Sequence, residues 1–190
     1  MDYAERFVKR KGVACTVTSR SPTVSGKCII TPSTKSGFRI AERADYIDGM
    51  MPVSVGLLSG EVLTLPSDTL LIMAVRPEAG MTMFMGARKN ADLDWLAESP
   101  SADVNNNVFV AFALVSADIP AFIETDRAKM IREDPGILPT TTHLIFIPAI
   151  YGPVVMDRVV YNTVSCQVDA LDSIIIDGIL RLQCSGDTRP

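Results

Sequence analysis

The chain has 190 residues, 47% of them hydrophobic and 21% charged, with a formal net charge of −4. That length fits one ordinary domain or two small ones, and the apolar share excludes a wholly disordered chain. The acidic balance argues against a general nucleic-acid binder, which would carry a basic excess.

No stretch reaches the roughly 18 apolar residues of a membrane-spanning helix, the longest clean run being Val108 to Val115. The charged start Met1-Asp2-Tyr3-Ala4-Glu5-Arg6 has no signal-peptide core, so a cytoplasmic site of synthesis and use is expected. A mean hydropathy of +0.24 leaves an apolar excess that a subunit interface would absorb.

Asp2 to Lys11 is expected to be a short helix. Asp2 suits the N-cap, Glu5 stands three residues on as in a capping box, and Gly12 is a stop. Lys9, Arg10 and Lys11 complement the dipole of the last turn, a reading preferred to phosphate binding. Val13 to Thr18 alternates as a strand. From Ser19 to Gly49 only Cys28-Ile29-Ile30 is strand-like among Ser-Pro, Ser-Gly and Thr-Pro steps. This stretch is read as an extended arm or loop, with a hairpin and disordered tip as the alternative.

A compact β-pattern follows, with strands over Gly60–Leu65, Thr69–Arg76 and Met81–Gly86 and turns at Pro66-Ser67-Asp68 and Pro77-Glu78-Ala79-Gly80. Met81, Met83 and Met85 share one face, Thr82 and Phe84 the other. The methionines are assigned to core packing, with an adaptable partner surface as the alternative. Residues 87–107 are polar and turn-rich, with Trp95 as a local packing anchor. Val108–Val115 is a buried strand. Ile119–Glu133 is a candidate helix opening near Pro120 and ended by Pro135.

From Asp134 to Pro190 the order is strand, turn, strand, turn, strand, with Asp157, Asp172 and Asp177 near turns. The expected class is mainly β, a small barrel or sandwich, as one body or as two related modules. The expected division is an N-terminal helix over 1–12, a first β-module over 13–100 containing the arm at 19–49, a connecting strand and helix over 101–133, and a C-terminal β-module over 134–190.

Two blocks share a layout. Glu61–Arg76 and Arg158–Asp172 are each strand–turn–strand, followed by Gly80 or Gly178 and then by Met81–Met85 or Ile179–Gln183. This is either an internal repeat or generic β-meander patterning.

Catalytic motifs are missing: no GxSxG, Walker A loop, GxGxxG or HExxH occurs. His143 is the sole histidine and reads as a strand-entry residue. Cys15, Cys28, Cys166 and Cys184 have no CxxC spacing, and buried reduced thiols are favoured over a zinc site. No EF-hand spacing is present for Ca²⁺. Asp92 with Asp94, and Glu124 with Asp126, read as solvated surface. Asp169 and Asp172 would form intersubunit ion pairs or mark the solvent face and turn. No catalytic, cofactor-binding or metal-ligating residue is nominated, and an enzyme is not expected.

The tail carries a resemblance. Asp134-Pro135-Gly136-Ile137-Leu138-Pro139-Thr140-Thr141-Thr142 leads to Asp157-Arg158-Val159-Val160. Val168-Asp169-Ala170-Leu171-Asp172, Gly178-Ile179-Leu180-Arg181-Leu182-Gln183 and Asp187-Thr188-Arg189-Pro190 follow. Together with the opening Glu5-Arg6-Phe7 and Lys9-Arg10, this pattern resembles the neck proteins of tailed bacteriophages, the stopper-like head-completion and head–tail connector group. Asn162-Thr163-Val164 stands where that group often has an Asn-Gly turn.

The resemblance implies a structural virion protein forming a ring, usually a hexamer, at the neck. The ring would meet a portal or adaptor protein on the head side and a tail terminator or tail tube protein on the tail side. Genomic DNA would pass through the channel without specific binding, no membrane would be involved, and assembly would occur in the host cytoplasm. A tail terminator or other tail-joining ring protein is the nearest alternative. A small β-barrel enzyme or ligand-binding module is the alternative of another class and would need His143, a cysteine and a carboxylate in one pocket. A capsid-decorating protein is a third.

Overall fold

A computed structural model of the chain describes residues 3–32, 45–102, 108–125 and 136–189. Over these residues the chain is mainly β, with a short N-terminal helix and two closed six-stranded barrels. Contacts divide it into one unit of Met1–Lys89 with Ile174–Ile179, and another of Asn90–Ser173 with Leu180–Pro190.

In the first unit, α1 (Tyr3–Lys11) precedes β1 (Val13–Val17), β2 (Val24–Pro32), β3 (Tyr46–Pro52), β4 (Val62–Thr64), β5 (Thr69–Glu78) and β6 (Met81–Arg88). The ring order is β1-β2-β3-β6-β5-β4, closed by β1 against β4 through Thr16–Thr64 and Val17–Leu63. Alternate side chains fill the interior: Cys15 and Val17 from β1, Cys28 from β2, Ile47 and Met51 from β3, Phe84 from β6. Gly49 lies opposite Phe84, whose ring occupies the space a β-carbon at position 49 would need. Arg20 straps the loop after β1, bonding the Glu61 carboxylate (Nη2–Oε2 2.7 Å) and the Val55 carbonyl.

The second barrel runs β7 (Ala91–Ala102), β8 (Val108–Glu124), β9 (His143–Pro148), β10 (Arg158–Tyr161), β11 (Val164–Asp172) and β12 (Ile179–Gly186). Its ring order, read from β7, is β7-β8-β9-β12-β11-β10, closed by β10 against β7. This is the order of the first barrel, strand for strand. Leu93, Ile119, Ile145, Ile147, Val159, Val168 and Leu182 form its buried centre. The barrel begins at Asn90, whose side-chain amide acts as an extra strand residue. Its Oδ1 accepts from the Ile123 N–H and its Nδ2 donates to the Ile123 carbonyl, both at 2.8 Å.

The likeness extends to an irregularity. On β5 the register steps from Ile72–Gly86 to Ala74–Met85, leaving Met73 as an extra residue. On β11 it steps from Val168–Cys184 to Ala170–Gln183, leaving Asp169. Each bulge sits on the fifth strand of its barrel, two residues beyond the partner of the fourth strand's first residue (Val62–Leu71, Arg158–Gln167). The repeated blocks of the sequence, Glu61–Arg76 and Arg158–Asp172, are therefore the fourth and fifth strands of two barrels with one topology.

Several expectations need correction. The first module ends at Lys89 rather than 100, and of the expected connection over 101–133 the described residues 101–102 and 108–124 belong to β7 and β8 of the second unit, while 103–107 and 126–133 lie outside the described residues. Part of the arm assigned to Ser19–Gly49 is wall: β2 and the start of β3 lie within it, while residues 33–44 fall outside the described residues. Ile119–Glu124 is the end of a strand, paired with β7 through Ala121 and with β9 from Phe122 to Glu124; residues 126–133 of the expected helix lie outside the described residues. The methionine stripe divides. Met81 is buried, but Met83 and Met85 are half-buried while Phe84 fills the barrel. Core packing therefore holds for Met81 but not fully for Met83 and Met85. Of the stretch 87–107 expected to be turn-rich, Ala91–Ala102 forms β7, and Trp95 within it packs against the second barrel's core.

Candidate functional site

One cluster joins residues nominated as an enzyme's minimum. His143 opens β9 and places its Nδ1 3.6 Å from the Cys166 sulfur of β11 and 2.8 Å from the Thr142 hydroxyl. The Tyr161 ring meets the imidazole edge-on at 5.9 Å between centroids. A nucleophilic cysteine needs a thiolate beside an imidazolium, and the surroundings favour neither. Burial, with the charges of Asp187 and Asp169 adding to it, pushes the Cys166 thiol up to about 11. Burial also lowers the pKa of His143. Cys166 belongs to the barrel core and has no exposed surface. Two members of the required trio meet, and the nearby carboxylates serve elsewhere: Asp187 pairs with Arg158 and Arg189, and Asp169 accepts from the Gln167 amide.

The thiols fall into two pairs, one per barrel, each set diagonally across neighbouring antiparallel strands. Cys15 lies opposite Gly26 and Cys28 opposite Val13; Cys166 lies opposite Gly186 and Cys184 opposite Val168. All four are buried and reduced. A hydrogen bond from Cys28 lowers the Cys15 thiol, and the same bond together with burial raises Cys28. Among the described residues no three His, Cys, Asp or Glu side chains gather as a metal would require.

The carboxylates have local roles. Asp157 is buried and accepts from the Trp95 indole (2.8 Å) and from the backbone N–H groups of Glu98 (3.0 Å) and Val154 (2.8 Å). Asp187, with a fully buried side chain, binds Arg158 Nε (2.8 Å) and Arg189 Nη2 (2.9 Å). Both guanidinium groups lie over the Phe112 ring, at 3.8 and 4.7 Å from its centre, and Arg189 reaches Glu98 at 3.4 Å. The tail is thus clamped to β7, β8 and β10. Asp172 pairs with Arg181 across β11 and β12 (2.9 Å), an ion pair within the chain. Asp94 accepts from the Asp118 N–H where β8 bulges.

Part of what the side chains leave outward is apolar. In the second unit Ile150, Val154, Val155 and Met156 are exposed within seven residues, Ile150 to 74%, and Leu114 on β8 to 61%. The first unit exposes Ile174 to 90% and Ile175 beside it. It also has an open groove of about 510 Å³ between α1, β2 and the turn Val53–Val55, lined by Glu5, Val8, Lys9 and Lys27. Lys27 Nζ donates to the Lys9 carbonyl at the helix end (2.9 Å). Nothing in the sequence pattern marked the Ile150–Met156 loop, because exposed and buried apolar runs look alike before the fold is known.

Among the described residues no helix is long and apolar enough to cross a membrane. Comparison with family models, with curated proteins and with solved structures gives no match.

Proposed function

We propose that this chain is a structural subunit of the neck of a tailed bacteriophage, forming a ring, a hexamer in the usual arrangement, between the DNA-filled capsid and the tail. The observation that carries the assembly part is the exposed apolar loop Ile150–Met156. Exposed apolar groups gathered in one segment are characteristic of surfaces that meet other proteins. Its placement at the neck rests on the resemblance of the tail segment to neck proteins. A portal or adaptor protein above and a tail terminator or tail tube protein below are the partners of this reading. The net charge of −4 suits DNA that passes without being gripped, since few phosphate contacts would release counterions. A tail terminator or other tail-joining ring is the nearest alternative.

The His143–Cys166 contact favours a second reading, a small barrel enzyme or ligand-binding module acting through a thiol. Light scattering of the purified chain, alone and with isolated phage necks, separates the two. A ring, or a single chain that becomes a ring on the neck, supports the structural reading. A persistent monomer that ignores necks, joined to an activity lost in Cys166→Ser, overturns it.

A further inference from the structure

The hairpin of β7 and β8 is longer than the barrel wall it builds. β8 pairs with β7 from Val108 to Ala121 but with β9 only at Phe122, Ile123 and Glu124. From Val110 to Ala117 the side of β8 away from β7 has no strand partner among the described residues. Two register shifts, between Leu93–Ile119 and Trp95–Ser116 and again before Leu96–Leu114, each insert an extra residue on β8. Bulges of this kind bend and twist a strand. Asp118 takes a positive φ of 54° at the same place.

Other strand stretches with one unpaired side carry the residues that discourage edge pairing. β2 pairs with β3 only from Ile29 onward, and its Val24–Cys28 half carries Lys27. β5 pairs with β4 only through Leu71, and its Ala74–Glu78 end holds Arg76, Pro77 and Glu78. β7 pairs with β10 only at Asp94–Leu96, and beyond that holds Glu98 and Pro100. Val110-Ala111-Phe112-Ala113-Leu114-Val115-Ser116-Ala117 has neither charge nor proline. An unguarded, uncharged edge is a template for another strand. A two-stranded ribbon outside a barrel is also only marginally stable in water until a further strand joins it.

We infer that the Val110–Ala117 edge of β8 pairs with the same edge of a second copy, giving a continuous β7–β8–β8–β7 sheet across the pair. The occupant follows from charge. An edge with no ionisable group is complemented by a strand that also has none, and this segment supplies its own complement in antiparallel alignment about a twofold axis. Leu114 and Val115, exposed in the single chain, are covered by the added strands. The inference concerns the chain by itself and does not rest on the neck reading.

The test is sedimentation of the full chain over a range of concentrations, with amide hydrogen exchange at Val110–Ala117. Wild type gives twice the chain mass at high concentration, with these amides slowing as the pair forms. Leu114→Lys and Ala113→Lys place a charge on opposite faces of the edge at exposed positions. Each raises the dissociation constant about ten- to a hundredfold while the Trp95 fluorescence of the folded chain is kept. A single-chain mass at every concentration overturns the inference. So does a larger assembly in which these amides stay fast, or slowing that appears only when another protein is added. Pairing through β8 in a chain that ignores necks would leave this inference standing and remove the neck reading.

Discussion

The Trp95 indole N–H donates to the Asp157 carboxylate at 2.8 Å across 62 residues of chain. It ties β7 to the turn that begins β10, where Val159 also pairs with Trp95 through the backbone. Asp157 is 2% exposed, and its remaining partners are backbone N–H groups. Trp95→Phe keeps an aromatic side chain but removes the indole N–H donor from a buried carboxylate and some ring volume, so stability falls by about 1–3 kcal/mol. Chemical denaturation followed by circular dichroism measures this. An unchanged midpoint would show that the bond holds nothing together.

Asp187 is the centre of the tail clamp. Burial alone would raise its pKa, but hydrogen bonds from Arg189 and Arg158 outweigh that and hold the carboxyl well below the usual carboxylate range. A depressed folded value means that the contribution is complete above the unfolded pKa of about 4 and is lost as pH falls further. Asp187→Asn leaves two guanidinium groups over Phe112 without their buried anion, at a cost of about 3 kcal/mol. The variant should be less stable at pH 7 and lose less stability than wild type between pH 4 and pH 2. Equal acid sensitivity in both would contradict the assignment.

The hairpin between β10 and β11 turns on Asn162 (φ 43°) and Thr163 (φ 67°), with Tyr161 opposite Val164. Two central residues with positive φ are what a tight hairpin of this hand requires. The sequence departs from Asn-Gly here, yet the turn keeps that geometry and places a β-branched residue where glycine is preferred. Thr163→Gly should raise stability by about 1 kcal/mol, read as a higher melting temperature. A lower one would mean that the threonine side chain holds the turn.

The four thiols are buried, and those of Cys28, Cys166 and Cys184 are raised. Cys15 is lowered, but by a bond to Cys28 inside the core. A thiol reagent at pH 8 should find essentially none of them in the folded chain and all four after denaturation. Rapid labelling of Cys166 in the native protein would revive the thiol chemistry of the second reading.

The end of the first barrel was legible because its last two strands are apolar runs bounded by Asp68 and Gly80. The expected strands Thr69–Arg76 and Met81–Gly86 become β5 and β6 with two residues added to the end of each. β7 was not legible. Its segment Asp94 to Ser101 holds polar residues and a proline, and its strand character comes from pairing with β8. Over Ile119–Glu124 the expected helix is a strand end: Phe122 is buried against Phe146 while Ala121 and Ile123 are buried on the other face, and burial on both faces of a strand resembles a helical stripe. His143 and Cys166 are 23 residues apart in sequence, and only the pairing of strands brings them together.

The shared ring order has a consequence for the chain as it is made. In each barrel the first and fourth strands close the wall and the third must wait for the sixth. The first barrel therefore has all its staves once Arg88 has been synthesised and can shut early. The second has its longest apolar strand, β8, complete at Glu124, but β12 ends only at Gly186. For some sixty residues of synthesis, about 3–12 s at ribosomal rates, the greasiest segment of the protein waits without its barrel. Conditions that slow translation should therefore lower the soluble yield through the second half of the chain rather than the first.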